Sequence, residues 1–385
     1  MKKKILGEIF TPFSFCEEML DKLPEEAWEN PNLKWMDPAC GSGNFLFVIK
    51  CKLMKSLTSI FPNEEEREKH ILENMLFGID IQPKNILLTM LRLDPNNQYN
   101  LNNIFLFNAL EYEFNQTFDI VVANPPYNVA GNQLHLKFLS LAFDISSRYI
   151  LFVEPLAWLL TERKENYSKI FDKIYGLRNV TIMNINPIFN IALFTPGGIL
   201  FFDKEYAGKI EVINKLAKDR VDTYKNIQDI NIHGNIKEYF SLKSKILNYC
   251  EENSSLFVYA YSDGQFYVNI GKIRAHVYTD KINKLRKSDF YTFVPNDRKV
   301  ETEKKQQYFG FKEYNEAENF LAYIRTKFAR FCLSIFKIDS HLESGQLKSV
   351  PWLDFSYKWT DEKIYEYFEL SEEEIQFIEG FIPEY

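Results

Sequence analysis

The sequence has few of the residues that build disulfide frameworks and zinc sites. Its 385 residues include five cysteines and five histidines, and these form no Cys-x-x-Cys, His-x-x-x-His or His-Glu-x-x-His pattern. We therefore expect a reducing compartment and no required metal. The sequence also lacks an apolar stretch long enough to span a bilayer, and no apolar signal segment follows its charged start. These absences predict a cytoplasmic protein with no membrane partner.

The composition predicts a large globular protein. A hydrophobic content of 46% over 385 residues can form a sizeable core, and this length favours two domains. The formal net charge of −7 argues against a general nucleic-acid binder, but the charge is uneven along the chain. Residues 201–350 carry a net positive charge between two acidic portions, which is compatible with a local phosphate-binding face.

The first 200 residues alternate between helical and strand patterns, which predicts an α/β fold with a mostly parallel sheet. In such folds, ligands bind at the carboxyl ends of the strands. After about residue 206 the segments become shorter and richer in Tyr, Phe, Lys and Arg. We therefore predict a catalytic domain over residues 1–206 and a second domain over residues 207–385.

The predicted strand ends carry polar residues that suit a nucleotide-like ligand. The first strand runs into Asp37-Pro38-Ala39-Cys40-Gly41-Ser42-Gly43, where the glycines allow a tight turn and close approach of a ligand to the backbone. No Lys-Ser/Thr pair follows, so this is not a phosphate-binding P-loop. Asp37 could pair with a ligand's ammonium group. Asp80, followed by Ile81, could accept hydrogen bonds from two ribose hydroxyls, and Asn108 could bind an adenine edge.

Thr11 and Ser14 precede the first predicted helix. A hydroxyl together with the free N–H groups of a helix start can hold a carboxylate, although an ordinary helix cap explains the same pattern.

The tetrapeptide Asn124-Pro125-Pro126-Tyr127 follows a buried, β-branched strand pattern. The two prolines fix φ and exclude helical geometry from the preceding residue. We expect the Asn124 amide and the Pro125 carbonyl to face the ligand crevice, with Tyr127 beside them. Two acceptors and a ring suit a planar substrate that carries an NH2 group. The alternative is a proline-stiffened loop with a core tyrosine.

The second domain contains a basic zone interleaved with aromatic residues, a composition found on nucleic-acid faces and on ordinary solvated surfaces alike. Its basic residues are Lys272, Arg274, Lys281, Lys284, Arg286, Lys287, Arg298 and Lys299. Asp297 and Glu303 superficially suggest a nuclease metal site, but no strand pattern carries them, so we do not favour a nuclease. The acidic tail predicts two packing helices, one with a stripe through Ile364, Tyr367 and Phe368 and a second with a stripe through Ile375 and Ile378.

Taken in order, these elements resemble the DNA adenine N6 amino-methyltransferases. The Thr-Pro element, Asp-Pro-Ala-Cys-Gly-Ser-Gly, Gly-Ile-Asp, a strand-end Asn and Asn-Pro-Pro-Tyr follow the gamma-class order, and the resemblance covers residues 7 to about 204. It implies a class I methyltransferase fold, Rossmann-like with a mostly parallel seven-stranded sheet. It also implies a C-terminal mixed α+β target-recognition domain that binds double-stranded DNA.

The resemblance further implies S-adenosyl-L-methionine as the cofactor. Its methionine end would contact Thr11, Asp37, Ala39 and Gly41, its ribose would contact Asp80 beside Ile81, and its adenine would lie near Asn108. The implied catalytic residues are Asn124, Pro125, Pro126 and Tyr127. Phe189 is the candidate for a second aromatic that sandwiches the flipped adenine, and Phe194 is the alternative.

Two other enzyme classes are alternatives. Protein glutamine N5-methyltransferases that act on release factors share the Asn-Pro-Pro-Tyr motif, because the side-chain amide of their substrate presents the same NH2 group. Ribosomal-RNA amino-methyltransferases are the second alternative. The long segment after the motif disfavours the first class. The sequence leaves open the recognition site, the oligomeric state and whether a cognate restriction endonuclease accompanies the chain.

Overall fold

A computed structural model gives the structure of most of the chain. It describes residues 10–129, 132–161, 164–191, 196–217, 219–231, 234, 237–260, 262, 266–270, 290–295, 307–335 and 344–382. The chain forms two compact units. The first comprises Met1–Leu159 and Arg163–Ile230, and the second comprises Leu160–Glu162 and Asn231–Tyr385.

The chain up to Tyr224 contains eleven strands among its described residues. They are β1 Trp35–Asp37, β2 Leu76–Asp80, β3 Ile104–Leu106, β4 Phe118–Ala123, β5 Asn128–Val129, β6 Asn132–Gln133, β7 Ser146–Pro155, β8 Leu177–Met183, β9 Gly197–Asp203, β10 Ile210–Asn214 and β11 Arg220–Tyr224. The helices of the same portion are α1 Phe13–Leu20, α2 Glu26–Glu29, α3 Asn44–Ser56, α4 Glu64–His70, α5 Pro83–Leu93, α6 Leu134–Ile145, α7 Ala157–Leu160, α8 Ser168–Phe171 and α9 Asn186–Phe189. A π-helical turn over Ile71–Met75 joins α4 to β2.

Nine of these strands form one sheet in the order β11-β10-β8-β9-β7-β4-β1-β2-β3. The pairs from β3 to β7 are parallel, and β9 runs antiparallel between β7 and β8. The predicted α/β fold with a mostly parallel sheet is confirmed, but the prediction of seven strands was wrong. Strand β10 adds parallel to β8, and β11 pairs antiparallel with β10. The first compact unit extends to Ile230, whereas the boundary predicted from the sequence was residue 206.

Helices cover both faces of this sheet. Neighbouring residues on a strand point to opposite faces, and Phe201 and Phe202 on β9 illustrate this. Phe201 belongs to the core cluster that includes Phe15 of α1 and Phe45 of α3. Phe202 packs instead against Phe143 of α6, with ring centroids 5.1 Å apart. The sheet is therefore buried on both sides, which leaves the ends of its strands to carry polar groups.

The second unit combines helices with a three-stranded antiparallel sheet in the order β13-β12-β14. Its strands are β12 Phe266–Ile270, β13 Phe290–Pro295 and β14 Gln307–Phe311. Its helices are α10 Lys237–Glu252, α11 Leu256–Tyr259, α12 Tyr314–Ile324, α13 Lys327–Ser334, α14 Asp361–Tyr367 and α15 Glu372–Phe381. The tail forms the two predicted helices, α14, which buries Ile364, and α15, which buries Ile378, but the predicted stripe residue Tyr367 is 51% exposed.

The core of the second unit is rich in aromatic rings. Phe320 is fully buried and lies 4.9–5.9 Å from the ring centroids of Phe309, Phe311, Phe355 and Trp352. The eight basic residues of the predicted DNA-binding zone all lie outside the described residues. Among the helices that the structure does describe, none is both long and apolar enough to cross a membrane.

Candidate active site

The first wall of the site is the loop between β1 and α3. Gly41 and Gly43 adopt positive φ angles of 54° and 77°, a conformation that costs little only for glycine. A β-carbon at Gly43 would also lie 2.7 Å from the Thr89 side chain. The turn therefore depends on glycine for both its backbone conformation and its contact with α5. Helix α3 begins directly afterwards at Asn44.

Asp37 lies at the end of β1 and is only 1% exposed. Its Oδ1 accepts a hydrogen bond of 3.0 Å from the Ala39 backbone N–H. Burial raises the pKa of Asp37 to about 8, the Ala39 hydrogen bond partly opposes this, and the nearby Asp80 charge adds to it. Because desolvation penalises the charged form, a cation placed beside this carboxyl would restore its ionised state.

Asp80 ties the ends of the first two strands together. Its carboxylate accepts hydrogen bonds from the backbone N–H of Gly41 at 3.0 Å and of Gln82 at 2.8 Å, and from Asn85 Nδ2 at 3.1 Å. Asp80 therefore supports the glycine loop and holds the start of α5 at the same end of the sheet. The adjacent Ile81 is 56% exposed.

Asn108 lies two residues after the end of β3. The backbone N–H of the residue before it, Phe107, donates to the Asp80 carbonyl at 3.1 Å. This contact places the backbone next to Asn108 close in space to the end of β2. Its Oδ1 accepts from the Leu110 N–H at 3.2 Å and so stabilises the local turn. The side-chain amide hydrogens are not needed for that turn and can serve a ligand.

The second wall of the site is the loop after β4, where Asn124 and Pro125 are buried and Pro126 is half-buried. Asn124 Nδ2 donates to Thr11 Oγ1 at 3.0 Å. Its Oδ1 is also buried, and no residue in the described part of the chain hydrogen-bonds to it. A buried carbonyl oxygen without a donor is costly, so this atom is the strongest indication that a ligand or substrate group completes the site.

A cleft of about 270 Å³, counting space open to solvent, joins the two walls. Its lining residues are Phe10, Thr11, Asp37, Ala39, Cys40, Gly41, Ser42, Asn44, Phe45 and Asn124. Five of the predicted site residues, Thr11, Asp37, Ala39, Gly41 and Asn124, are therefore brought together, although they come from segments far apart in sequence. Asp80 adjoins the cleft through its bond to Gly41. Ile81, Asn108, Tyr127 and Phe189 are not among the lining residues.

The sequence did not identify the hydrogen-bond network beneath the cleft. Asn44 Nδ2 donates to the Thr11 carbonyl at 2.6 Å, and Ser42 Oγ donates to Asn44 Oδ1 at 3.0 Å. Arg92 of α5 also donates to Asn44 Oδ1 and to Ser42. No local pattern in the sequence indicates that Arg92 reaches Asn44 from 48 positions away and Ser42 from 50.

The two aromatic candidates lie in the core of the first unit. Tyr127 is 4% exposed, and its carbonyl accepts a 2.9 Å hydrogen bond from Nδ1 of the buried His135. Burial lowers the pKa of His135. Phe189 on α9 makes an edge-to-face contact with Phe15 at 5.5 Å. Phe194, the alternative to Phe189, lies outside the described residues.

Glu154 is a second buried acid, at the end of the strand next to β4. Ala123 of β4 pairs with Phe152 of β7, so Glu154 lies at the same sheet edge as the Asn124 loop. Its Oε1 accepts from Trp158 Nε1 at 2.8 Å. Burial raises the pKa of Glu154 to about 8, and the Trp158 hydrogen bond partly opposes this shift.

Comparison with known proteins gives a family match at the N-terminal end. Residues 1–138 match the family described as N-6 DNA Methylase. This range contains the glycine loop, Asp80, Asn108 and the Asn124 loop. An uncharacterized adenine-specific methylase of Mycoplasma pneumoniae (strain ATCC 29342 / M129 / Subtype 1) is 27% identical, over 55% of this chain and 70% of that protein.

Solved structures with a similar fold include methylase subunits of restriction systems. The M protein of the type I restriction enzyme EcoKI is 17% identical over 54% of this chain, with a TM-score of 0.43. A type I methyltransferase subunit from Streptococcus thermophilus is 16% identical over 54% of this chain, with a TM-score of 0.42. The chain spans about half the length of these two proteins, 48% and 47%. This chain is therefore similar to the N-6 DNA Methylase family over residues 1–138, and to an uncharacterized adenine-specific methylase over 55% of its length.

Proposed function

We propose that this chain is a site-specific DNA methyltransferase that transfers a methyl group from S-adenosyl-L-methionine to N6 of a flipped-out adenine. The observation that carries this proposal is the buried Asn124 Oδ1 in the cleft formed with the glycine loop, which no described residue hydrogen-bonds. An acceptor in that position suits an exocyclic NH2 group. The N-6 DNA Methylase match over residues 1–138 supports the same function.

The side chains of the cleft fit the proposed cofactor. Asp37 is a buried carboxyl that a ligand ammonium would stabilise in its charged form. Thr11 and the N–H groups near the start of α3 suit a carboxylate, and we assign the ribose hydroxyls to the Asp80 carboxylate. We assign the adenine end to Asn108 and the exposed Ile81. When bound, S-adenosyl-L-methionine supplies an electrophilic methyl group on a sulfonium.

In this mechanism Asn124 acts by orienting the nucleophile. The lone pair of the adenine amine is delocalised into the ring, and hydrogen bonds from NH2 to Asn124 Oδ1 and the Pro125 carbonyl would draw it out of conjugation. The same acceptors stabilise the positive charge that develops on the nitrogen. Pro125 and Pro126 restrict the backbone that holds both oxygens. No strong base is required at the motif.

We assign base stacking to Tyr127 and Phe189. Both rings are buried in this structure, so a flipped adenine can stack on Tyr127 only after the surrounding residues open. Stacking on an aromatic side chain is worth about 1–3 kcal/mol per base and would offset part of the cost of extrusion. Since stacking needs the ring and not the hydroxyl, Tyr127→Phe should retain most activity, whereas Tyr127→Ala should not.

We assign target recognition to the second unit, which gives the gamma-class order with the recognition domain last. Its partner would be double-stranded DNA, and a cognate restriction endonuclease would accompany the methylase in a restriction-modification system. Phosphate contacts release counterions, so DNA affinity should fall steeply with salt concentration. An affinity independent of salt would contradict this assignment.

The decisive experiment offers three substrates side by side. Purified protein with labelled S-adenosyl-L-methionine should methylate double-stranded DNA, and neither ribosomal RNA nor a peptide-release factor should be labelled. Asn124→Ala should abolish transfer while cofactor binding, measured calorimetrically, is retained. Asn102→Ala removes an exposed asparagine from the same unit and serves as the matched control. Labelling of RNA or of the release factor, with DNA unlabelled, would assign the chain to one of the two other classes.

A further inference from the structure

Thr11 and Asn124 form a contact that links the proposed cofactor end of the cleft to the proposed catalytic amide. The 3.0 Å hydrogen bond from Asn124 Nδ2 to Thr11 Oγ1 joins residues 113 positions apart, and both side chains are at least nine-tenths buried. Both also line the cleft. Asn124 Oδ1, the other end of the same amide, has no partner in the part of the chain that the structure describes.

The chemistry of a hydroxyl makes this contact sensitive to a ligand. A threonine hydroxyl has one hydrogen to donate and two lone pairs to accept with. Alone, it can bind either end of an asparagine amide, because it can donate to Oδ1 or accept from Nδ2. Once its hydrogen is given to a carboxylate, only lone pairs remain for Asn124. The amide must then present Nδ2 to Thr11, and Oδ1 points away from Thr11.

The backbone of Thr11 is held in place from the glycine-loop side of the cleft. Asn44 Nδ2 donates to the Thr11 carbonyl at 2.6 Å, and the oxygen of the Asn44 amide is held in turn by Ser42 and Arg92. The Asn44 amide is therefore fixed in the orientation that donates to Thr11. A continuous series of hydrogen bonds thus runs from α5 through the start of α3 to Asn124.

We propose that Thr11 is a positioning residue that fixes the orientation of the Asn124 amide, and that a carboxylate bound at Thr11 strengthens this orientation. The inference rests on the proposed function and deepens it. In this arrangement the orientation of Asn124 Oδ1, the acceptor for the adenine amine, depends on whether the amino-acid end of the cofactor site is occupied. The protein would then orient its catalytic amide most firmly when the methyl donor is present.

The first test separates positioning from binding. Thr11→Val removes the hydroxyl with little change in shape, and Thr11→Ser keeps it. At saturating S-adenosyl-L-methionine and DNA, Thr11→Val should reduce the single-turnover rate of methyl transfer by up to about tenfold, the effect expected for one lost hydrogen bond. Thr11→Ser should recover most of that loss. A Thr11→Val protein that shows weaker cofactor binding but an unchanged saturated rate would overturn the proposal.

The second test needs no catalysis. Protein labelled with ¹⁵N-asparagine gives a side-chain NH2 signal for Asn124, identified by its loss in Asn124→Asp. Exchange of these hydrogens with water should be faster in Thr11→Val than in wild type and close to wild type in Thr11→Ser. Equal exchange in all three proteins would refute positioning by Thr11. This outcome is distinct from failure of the proposed function, in which wild type would methylate no DNA while the exchange difference persisted.

Two ligands test the role of the carboxylate. S-adenosylhomocysteine carries an amino-acid end, and 5′-methylthioadenosine has the same adenosine and sulfur without it. At saturation, S-adenosylhomocysteine should slow exchange of the Asn124 NH2 hydrogens in wild type, and 5′-methylthioadenosine should not. In Thr11→Val neither ligand should slow it. Equal slowing by both ligands would show that the carboxylate does not act through Thr11.

Discussion

The buried carboxyl of Asp37 should make the stability of this protein depend on pH. Its pKa rises from the ordinary value of 3.8 to about 8 in the native protein, chiefly because burial penalises the charged form. Between these two values the native carboxyl keeps a proton that the unfolded chain has released. The free energy of unfolding must then fall as pH rises through this window, since the native state binds more protons.

The size of the effect follows from linkage. One group that is protonated only in the native state changes the free energy of unfolding by at most about 1.4 kcal/mol per pH unit. Asp37→Asn has nearly the same shape and does not titrate, so it should remove this contribution. Between pH 5 and pH 7 the variant should therefore lose less stability than wild type, by about 2–3 kcal/mol. Above pH 8 the two curves should become parallel.

Urea unfolding at half-unit steps from pH 5 to pH 9, followed by tryptophan fluorescence, measures this difference. Glu111→Gln is the matched control, because it removes an exposed carboxyl from the same unit, and its pH dependence should follow that of wild type. If wild type and Asp37→Asn lose stability in parallel between pH 5 and pH 7, Asp37 does not hold its proton in the native protein. The electrostatic description of the site would then be wrong.

The same shift affects ligand binding. At pH 7 the carboxyl of Asp37 is mostly protonated, and pairing with a ligand ammonium favours its ionised form. Binding of S-adenosyl-L-methionine should therefore release close to one proton, seen as a dependence of the calorimetric enthalpy on the ionisation enthalpy of the buffer. Asp37→Asn should show no such release from this group. An equal buffer dependence in both proteins would place the released proton elsewhere.

Three further predictions concern other buried positions. Glu154→Gln should also reduce the loss of stability between pH 5 and pH 7, because burial raises the pKa of Glu154 to about 8. If the free energy of unfolding, measured with urea, fell with pH as steeply in the variant as in wild type, this prediction would be contradicted. Gly43→Ala should lower the free energy of unfolding by about 2 kcal/mol or more. Gly43 has a φ of 77°, and an added β-carbon would lie 2.7 Å from Thr89. The left-handed backbone conformation alone costs a non-glycine residue roughly 1–2 kcal/mol. Thr89→Ala in that background should restore only the part due to the clash. Phe320→Ala should lower the free energy of unfolding by about 3–5 kcal/mol, because the ring is fully buried among four aromatic neighbours. Phe257→Ala at an exposed position is the control and should have a much smaller effect on thermal unfolding.

Some features of the site could be predicted because their causes are local. The turn from Asp37 to Gly43 needs glycine at two positive φ angles, and a turn of that kind is visible in the residue types themselves. The loop at Asn124 follows a strand whose run of β-branched residues can be recognised in the sequence in the same way. Because parallel strands end at one edge of a sheet, the alternation of strands and helices was enough to bring these loops together.

The extent of the sheet could not be predicted in the same way. Strands β10 and β11 follow a change in composition, and the sequence indicated a new domain there. Whether they extend the first sheet is decided by pairing with β8, which lies some 30 residues earlier. Strand β10 alternates buried and exposed residues, and the edge strand β11 buries only Tyr224. Such patterns fit any half-buried strand, so they say little about which sheet the strands join.

The order of residue types along the chain specifies the polar residues that follow each strand, and hence the general position and chemistry of the site. How these residues are used depends on contacts between distant segments. The fold placed Thr11 against Asn124 across 113 residues and Arg92 against Asn44, and it buried Asp37 deeply enough to raise its pKa to about 8. It also placed Tyr127 and Phe189 in the core instead of in the cleft lining. The physical reason is that hydrogen-bond partners and desolvation depend on atoms supplied by other segments, whereas turn geometry and strand pattern depend on the neighbouring residues alone.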